Sequence, residues 1–319
     1  MAEPLSLRVV RIERKTDHIT AIRLERNDGG RLPAFTPGAH IDLHLPNGLT
    51  RQYSLVNHPS ETGHYLLGVL REKAGRGGSA WVHDRLTEGM ALQVGTPRNN
   101  FPLVPAERYL FIAGGIGVTP LLSMGAHLHR GGAAFHLHYC TRSASETAFL
   151  ERIAQQGWRD RVTLIHDGGD PSQGLDVGCL ISQHEPGTHL YCCGPSGLMQ
   201  AVRDASAHWP SGTVHFEWFS ADPVVTNGAK DKAFTVALAR SQREFAVPAE
   251  KSIAQVLAEH AIPVETLCTE GLCGTCITDV VEGAPDHRDS ILTDEERASN
   301  KLMTICCSRA KSSRLVLDL

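Results

Sequence analysis

The sequence predicts a multidomain protein with an antiparallel β domain, then a parallel-sheet α/β domain, then a small β-rich domain. Three observations predict this order. Residues 5–94 contain short strands of alternating polarity, and residues 109–193 alternate apolar strands with helical segments such as 146–155. A cysteine-rich loop lies between strands near the C-terminus. We place the domains at 1–103, 104–220 and 233–319, with a polar linker containing Pro, Asn and Gly at 221–232.

The first domain is predicted from segments such as L-R-V-V-R-I-E-R and Y-L-L-G-V-L, separated by Gly, Pro and Asn. Such segments are typical of an antiparallel barrel or sandwich. In R-Q-Y-S-L, strand alternation puts Arg51 and Tyr53 on one face and Ser54 on the other. A cation beside an aromatic ring can hold an anionic, aromatic ligand, although an ordinary surface strand would have the same composition.

A glycine-rich turn, Arg76-Gly77-Gly78-Ser79, follows a later strand of this domain. Ser79 is a good N-cap for the helical A-W-V-H-D-R-L that comes next. Unpaired N–H groups at a helix start, together with an arginine and a hydroxyl, predict a phosphate site. A plain turn is the alternative.

The second domain begins with the apolar strand Y-L-F-I-A, which opens into G-G-I-G-V-T-P before a helix predicted from Leu121. The dinucleotide pattern G-x-G-x-x-G fails here because Pro120 replaces its third glycine. Later strands end at Arg142 and at Cys193-Gly194, and ligands of parallel sheets lie at such carboxyl ends. Cys193 could equally be a buried strand residue.

The third domain carries the most specific signal, a C-x4-C-x2-C spacing with a distant fourth cysteine. Thiolates at this spacing are typical of a plant-type [2Fe–2S] cluster. A thioredoxin-like pair would leave two cysteines unexplained, and a structural zinc site usually has a second short pair, so both are weaker alternatives. The predicted ligands are Cys268, Cys273 and Cys276, with either Cys306 or Cys307 as the fourth, since spacing alone does not decide between them.

Together, R-x-Y-S-L, R-G-G-S, G-G-I-G-x-T-P and the cysteine loop resemble the phthalate dioxygenase reductase family, which includes the vanillate demethylase reductases, over essentially the whole chain. The resemblance implies that the barrel binds FMN and that the third domain is a β-grasp ferredoxin. It also implies that M-x-x-C-x-S-R supplies the fourth ligand, so Cys306 is predicted over Cys307.

The resemblance further implies a role for each motif residue. Flavin contacts fall to Arg51, Tyr53 and Ser54, and the FMN phosphate to Arg76, Gly77, Gly78 and Ser79. The dinucleotide is expected near Gly115, Gly117, Thr119 and Arg142, and the nicotinamide near Cys193 and Gly194. Phe219, two residues after Glu217, is expected to lie against the flavin where nicotinamide enters; core packing is its alternative. We expect Ser54, Cys193 and Phe219 to act at the reacting atoms.

The predicted function is that of an NADH-dependent reductase that passes electrons through FMN and a [2Fe–2S] cluster to the Rieske protein of a two-component oxygenase. Binding the 2′-phosphate of NADPH calls for added basic residues, and Arg142 is the only nearby candidate. Members of the resembled family with the same Y-x-T-R segment are generally NADH-dependent, so the resemblance implies NADH. The alternatives are a reductase for a haem or quinone acceptor and a cluster-bearing redox sensor without turnover. The sequence does not identify the oxygenase's substrate.

Composition limits the partners and the compartment. A net charge of −4 with no basic run argues against nucleic acid and anionic membranes. Apolar runs are too short to span a bilayer, and the N-terminus lacks a signal-peptide pattern, so we expect a cytoplasmic protein. The nine cysteines all lie between Cys140 and Cys307, a distribution that fits ligands and core in a reducing compartment.

Overall fold

The computed structural model describes residues 4–73, 75–219 and 231–319. The chain divides into two compact units, Met1–Glu217 and Trp218–Leu319. Of the predicted linker, residues 221–230 lie outside the described residues, as do Ala74 and Ser220. No helix in the described ranges is both long and apolar enough to cross a membrane.

The first sheet of the first unit is antiparallel, as predicted. Its strands follow the order β4-β3-β6-β1-β2-β5, and an antiparallel bridge between Leu55 and Leu67 joins the two ends into a barrel. Inward residues such as Leu7, Ile22 and Leu43 are fully buried, which explains the alternating pattern. The strands are β1 (Leu5–Arg14), β2 (Ile19–Arg26), β3 (His40–His44), β4 (Thr50–Ser54), β5 (Tyr65–Leu70) and β6 (Ala91–Val94), and helix α1 spans Gly78–Arg85.

The second sheet of this unit is parallel, with the order β11-β10-β7-β8-β9. Strand order reverses at β7, so the carboxyl ends of β7 and β10 border the crevice where such sheets bind ligands. The strands are β7 (Arg108–Gly114), β8 (Ala134–Thr141), β9 (Val162–His166), β10 (Thr188–Cys193) and β11 (Val214–Glu217). The helices are α2 (Val118–Arg130), α3 (Leu150–Gln155), α4 (Val177–Leu180) and α5 (Ser196–Ala205).

The two sheets of the first unit share one hydrophobic core. Ile19 and Ala21 of β2 belong to the same buried cluster as Phe111 of β7. A Cβ added to Gly68 of β5 would lie 2.8 Å from the Thr119 methyl group, so the barrel and α2 pack closely at this glycine. Shared burial of this kind explains why the barrel and the parallel sheet form one compact unit.

The second unit has the predicted β-grasp arrangement, with a five-stranded mixed sheet in the order β13-β12-β18-β14-β16. Helix α6 begins at a capping box made by Ser252 and Gln255 and buries Val256 and Leu257 against the sheet. The longer elements are β12 (Phe234–Leu238), β13 (Glu244–Val247), α6 (Ile253–Glu259), β14 (Ile277–Glu282), α7 (Asp294–Ser299), β16 (Leu302–Thr304) and β18 (Arg314–Leu317). Two short strands, β15 (Pro285–Asp286) and β17 (Arg309–Ala310), pair with each other.

Three predicted helix starts are wrong by a few residues. Helix α1 is capped by Gly77 in the left-handed conformation (φ 85°), so Ser79 lies inside the first turn and is not the N-cap. Helix α2 starts at Val118, three residues before Leu121, because Pro120 is tolerated in a first turn. The helix predicted at 146–155 is shorter because Phe149 adopts a φ of 65° immediately before α3.

Candidate functional site

Two stretches of the barrel meet at the N-terminus of α1. The Arg51 side chain crosses Gly78 so closely that a Cβ there would lie 2.7 Å from the Arg51 Cγ and Nε atoms. An Nη atom of Arg51 also donates to the Arg76 carbonyl at 3.4 Å. A guanidinium beside a helix N-terminus fits a phosphate group by charge and by donor geometry. The Ser79 hydroxyl accepts a hydrogen bond from the Glu72 N–H at 3.0 Å, which closes the turn.

Two further residues predicted to contact the flavin, Tyr53 and Ser54, follow on β4. Tyr53 packs against the barrel core, and burial raises its pKa to about 12, so the phenol stays neutral. Ser54 is buried and donates to a Glu217 carboxylate oxygen at 3.4 Å. Because a strand rises about 3.3 Å per residue, Arg51 and Ser54 are about 10 Å apart along β4, and by strand alternation they face opposite sides of it.

The two loops of the parallel sheet touch through their backbones. A Cβ on Gly117 would lie 2.2 Å from the Cys193 carbonyl oxygen, and one on Gly194 would lie 2.9 Å from the Gly114 nitrogen. Glycine is therefore required at both positions for the loops to approach. Gly115 has a φ of 53° and no heavy atom within 4 Å of an added Cβ, which leaves room for a ligand.

Thr119 does not point its hydroxyl into this space. The residue is 2% exposed, and its Oγ1 donates to the Ile116 carbonyl at 2.9 Å. In the structure the Thr119 side chain therefore stabilises the conformation of the glycine loop. Its predicted contact with a dinucleotide remains a prediction.

Glu217 is a buried carboxyl group to which the sequence motifs assigned no role. It pairs with Cys193 in the β10–β11 register, and its carboxylate accepts from Ser54, so it joins the barrel to the nucleotide sheet. Burial raises the pKa of Glu217 to about 8, and the Ser54 hydrogen bond partly opposes this shift. Burial first, and then the Glu217 charge, raise the pKa of the Cys193 thiol well above its usual range. In the sequence, the position of Glu217 at the end of the last parallel strand was the feature that could have indicated a site residue.

Asp167, at the carboxyl-terminal edge of the parallel sheet, is a second residue that the sequence motifs did not identify. It follows β9, where its N–H donates to the Thr141 carbonyl at 3.2 Å, and the Gly168 N–H donates to the Arg142 carbonyl at 2.9 Å. Arg142 itself is exposed immediately after β8. The Asp167 carboxylate therefore lies at the same edge of the parallel sheet as Arg142.

In the second unit, the four predicted ligand cysteines are buried and come together. The Cys268 side chain contacts those of Cys273 and Cys306, and the Cys276 side chain also contacts Cys306. The side-chain partners of Cys268 lower the pKa of its thiol most, and two backbone N–H groups add to this effect. Four converging thiols are a donor set that fits an iron–sulfur cluster.

Backbone donors and glycines complete the cysteine loop. The N–H groups of Glu270 and Leu272 point at the Cys268 Sγ, each at 3.4 Å. Gly271 and Gly274 both have a φ of 73°, a left-handed conformation that glycine adopts without steric cost and that makes the loop tight. Such N–H donors are the groups that stabilise negative charge on cluster sulfurs.

Cys307 lies behind this loop. Its Sγ is 3.2 Å from the Thr304 hydroxyl and would be 2.6 Å from a Cβ added to Gly271. Gly271 therefore leaves the space that Cys307 occupies. Cys306, by contrast, contacts two of the other predicted ligands, which supports its choice over Cys307.

Comparison with known proteins agrees with this arrangement. The 2Fe-2S iron-sulfur cluster binding domain family matches residues 236–311. The vanillate O-demethylase oxidoreductase of Pseudomonas sp. is 46% identical, covering 94% of this chain and 95% of its own length. The phthalate dioxygenase reductase of Burkholderia cepacia is 42% identical over 99% and 97% of the two chains. The chain belongs to the phthalate dioxygenase and vanillate demethylase reductase family.

Two solved structures extend the comparison. A phthalate dioxygenase reductase superposes with a TM-score of 0.74 at 42% identity, covering 99% of this chain and 98% of that one. An intact type IV self-sufficient cytochrome P450 monooxygenase gives a TM-score of 0.89 at 38% identity. This chain covers 41% of that P450, so the similarity extends over less than half of the larger protein.

Family membership confirms the predicted fold class and the predicted type of enzyme. The protein is an NAD(P)H-dependent flavin and iron–sulfur oxidoreductase, a reductase that supplies electrons to a Rieske-type oxygenase system. This result favours the enzyme over the redox-sensor alternative. The roles of individual residues, including Phe219, remain predictions; Phe219 lies at the start of the second unit with 43% of its surface exposed.

Proposed function

We propose that this protein is the NADH-dependent reductase component of a two-component Rieske oxygenase or demethylase, with FMN and one [2Fe–2S] cluster in the same chain. The observation that carries the proposal is the combination of two contacts in one unit, Arg51 at the α1 N-terminus and Ser54 with Glu217, with the convergence of four cysteines within the other unit. When bound, a flavin accepts two electrons as hydride and releases them singly, which a nicotinamide alone does not do.

The residues of this chain would orient the reactants and set the protonation state of the site. Arg51 and the N-terminal N–H groups of α1 would bind one terminal phosphate, as FMN has, since a nearly dianionic group benefits most from a guanidinium and a helix start. Ser54 would direct its hydroxyl to the flavin edge and to Glu217. With a pKa of about 8, the Glu217 carboxyl holds a proton at neutral pH and places no negative charge where hydride must arrive.

NADH is favoured over NADPH by the charges at the adenosine end. Asp167 lies beside the Arg142 backbone at the carboxyl ends of β8 and β9. A carboxylate there can accept a hydrogen bond from a ribose hydroxyl and repels a 2′-phosphate. Phe219 is proposed to cover the flavin until nicotinamide enters.

The proposed acceptor is the Rieske protein of an oxygenase. Reductase subunits of the relatives act in such systems: the relative from Aquincola tertiaricarbonis, 45% identical over 99% of this chain and 96% of its own length, is the reductase subunit of a tert-butanol monooxygenase and tert-amyl alcohol desaturase. A haem acceptor is the second candidate, because the P450 similarity joins the same arrangement to a haem domain.

Cofactor analysis of the purified protein tests the proposal. We expect one FMN, two irons and two acid-labile sulfides per chain, and NADH oxidation that supports reduction of ferricyanide and cytochrome c. FAD in the extract, or zinc in place of iron, would contradict it. Reduction of a ferric P450 haem domain but of no Rieske protein would favour the second candidate.

A further inference from the structure

A buried carboxylate, Asp289, lies behind the cysteine loop and has no role in the functions above. It is 1% exposed. The Asp289 carboxylate accepts hydrogen bonds from the Leu292 N–H at 2.8 Å and the Ile291 N–H at 3.2 Å. Burying an ion costs several kcal/mol of folding free energy unless the ion is well paired, so the charges that surround the Asp289 carboxylate matter.

The position of Asp289 relative to the loop is fixed from two sides. On one side, a Cβ added to Gly271 would lie 2.8 Å from the Asp289 Cα, and the Ser290 N–H donates to the Gly271 carbonyl at 3.0 Å. On the other, the Ser308 hydroxyl is 3.5 Å from the Asp289 carboxylate. Gly271 lies between the ligands Cys268 and Cys273, and Ser308 lies two residues after Cys306.

The charges around Asp289 do not form a close ion pair. Arg297 has an Nη atom 3.7 Å from one carboxylate oxygen, and the same atom donates at 2.6 Å to the Asp289 backbone carbonyl. His287 lies 3.8 Å from the other oxygen, and burial lowers its pKa, so the imidazole is neutral at neutral pH. Arg288 is directed to Asp231 and Asp286. The negative charge is therefore partly compensated and close to the loop.

We propose that the opposite charges of Asp289 and Arg297 each help to set the reduction potential of the cluster held by the loop. One-electron reduction adds one negative charge at the cluster, and cluster potentials depend on nearby charge, hydrogen bonds and exposure to water. A buried carboxylate raises the free energy of the reduced state, and the Arg297 guanidinium lowers it. In low-dielectric surroundings, either change alone has a measurable effect.

The same groups also position the loop, so the test must separate charge from structure. Asp289→Asn keeps an oxygen that can accept from the Leu292 and Ile291 N–H groups and removes the charge. Arg297→Gln removes the opposite charge. Glu244→Gln removes an exposed carboxylate from β13, at the far edge of the sheet from β14 and β16, and is the matched control.

The experiment is a redox titration of the full chain with dithionite and mediators, followed by EPR of the cluster. This inference rests on the proposed function, because it requires the cluster. The titration uses neither NADH nor an oxygenase, so the inference and the proposed function can fail separately. Absence of iron from the parent protein would contradict the proposed function, whereas equal potentials in loaded variants would contradict this inference.

We expect Asp289→Asn to shift the potential in the positive direction, by about a tenfold change in the one-electron equilibrium, or 59 mV. Arg297→Gln should shift it in the negative direction, and Glu244→Gln should leave it unchanged. Opposite signs distinguish charge from damage, because a loosened loop would shift both variants the same way. If Asp289→Asn does not load a cluster, the sign for Arg297→Gln decides: a positive or zero shift overturns the proposal.

Discussion

The two candidate sites of this protein are assembled in different ways. In the second unit, three of the four cysteines come from one loop of nine residues, and the fourth follows β16. In the first unit, the proposed hydride site combines Ser54 from β4, the glycine loop after β7, Cys193 from β10 and Glu217 from β11. Binding at the local site depends on each cysteine side chain. Geometry at the site assembled from distant strands depends on how closely the backbones of those strands and loops approach one another.

The largest effect is expected at the fourth ligand. Cys306→Ser should abolish the visible charge-transfer bands and one-electron delivery while flavin and NADH binding persist, because Cys306 contacts both Cys268 and Cys276. Cys307→Ser should keep the cluster, since the Cys307 thiol is directed to Thr304. Visible absorption and iron content are the measurements. A cluster in the Cys306 variant together with none in the Cys307 variant would reverse the assignment.

A smaller loss is expected where the two nucleotide loops touch. Gly117→Ala puts a methyl group 2.2 Å from the Cys193 carbonyl oxygen, so the loops must separate. A displacement of about 1 Å at a reacting centre costs on the order of 100-fold in rate, and stopped-flow reduction of the flavin by NADH would measure it. Gly197→Ala, which meets no atom within 4 Å, is the control. Equal rates in both variants would show that loop contact does not position the nicotinamide.

The first unit should also be the more acid-sensitive region because of His40. Burial first, and then Arg98, lower the pKa of His40 to about 4. His40 is therefore protonated below about pH 6.5 in the unfolded chain but only below about pH 4 in the folded barrel. Because the unfolded state binds more protons between these values, the free energy of unfolding falls as pH falls across this window. The loss from this histidine is about 3 kcal/mol at pH 4.

Urea denaturation followed by tryptophan fluorescence measures this loss, since three of the four tryptophans lie in the first unit. His40→Gln should flatten the decline between pH 6.5 and pH 4. A parallel decline in the parent and the variant would exclude His40 as its source. Cluster absorbance, recorded in the same samples, reports the second unit.

The smallest expected effect concerns the choice of nicotinamide. Asp167→Asn keeps the hydrogen bond that the Asp167 side chain accepts from the Gly169 N–H and removes a negative charge near the proposed position of the adenosine ribose. The ratio of kcat/KM for NADPH to that for NADH should rise about tenfold, equivalent to about 1.4 kcal/mol. Asp170→Asn, in the same turn, should change the ratio less. An unchanged ratio for Asp167→Asn would place the ribose elsewhere.

Local motifs and assembled contacts differed in how far the sequence could predict them. The cysteine spacing and the left-handed glycines Gly271 and Gly274 are fixed by neighbours in the chain, so the cluster loop followed from residue types alone. The Ser54–Glu217 contact joins residues 163 positions apart in the sequence, and no spacing rule reaches that far. Ser79 was misassigned as an N-cap because Gly77 can adopt the left-handed conformation that starts α1 two residues earlier.

The central claim is that electrons entering at the Ser54–Glu217 site leave through the cysteine loop of the same chain. Anaerobic addition of one equivalent of NADH, followed by rapid freezing and EPR, tests it most directly. The account predicts the signal of a reduced [2Fe–2S] cluster within one turnover, and its loss in Cys306→Ser. A flavin that NADH reduces, beside a cluster that only dithionite reduces, would contradict it.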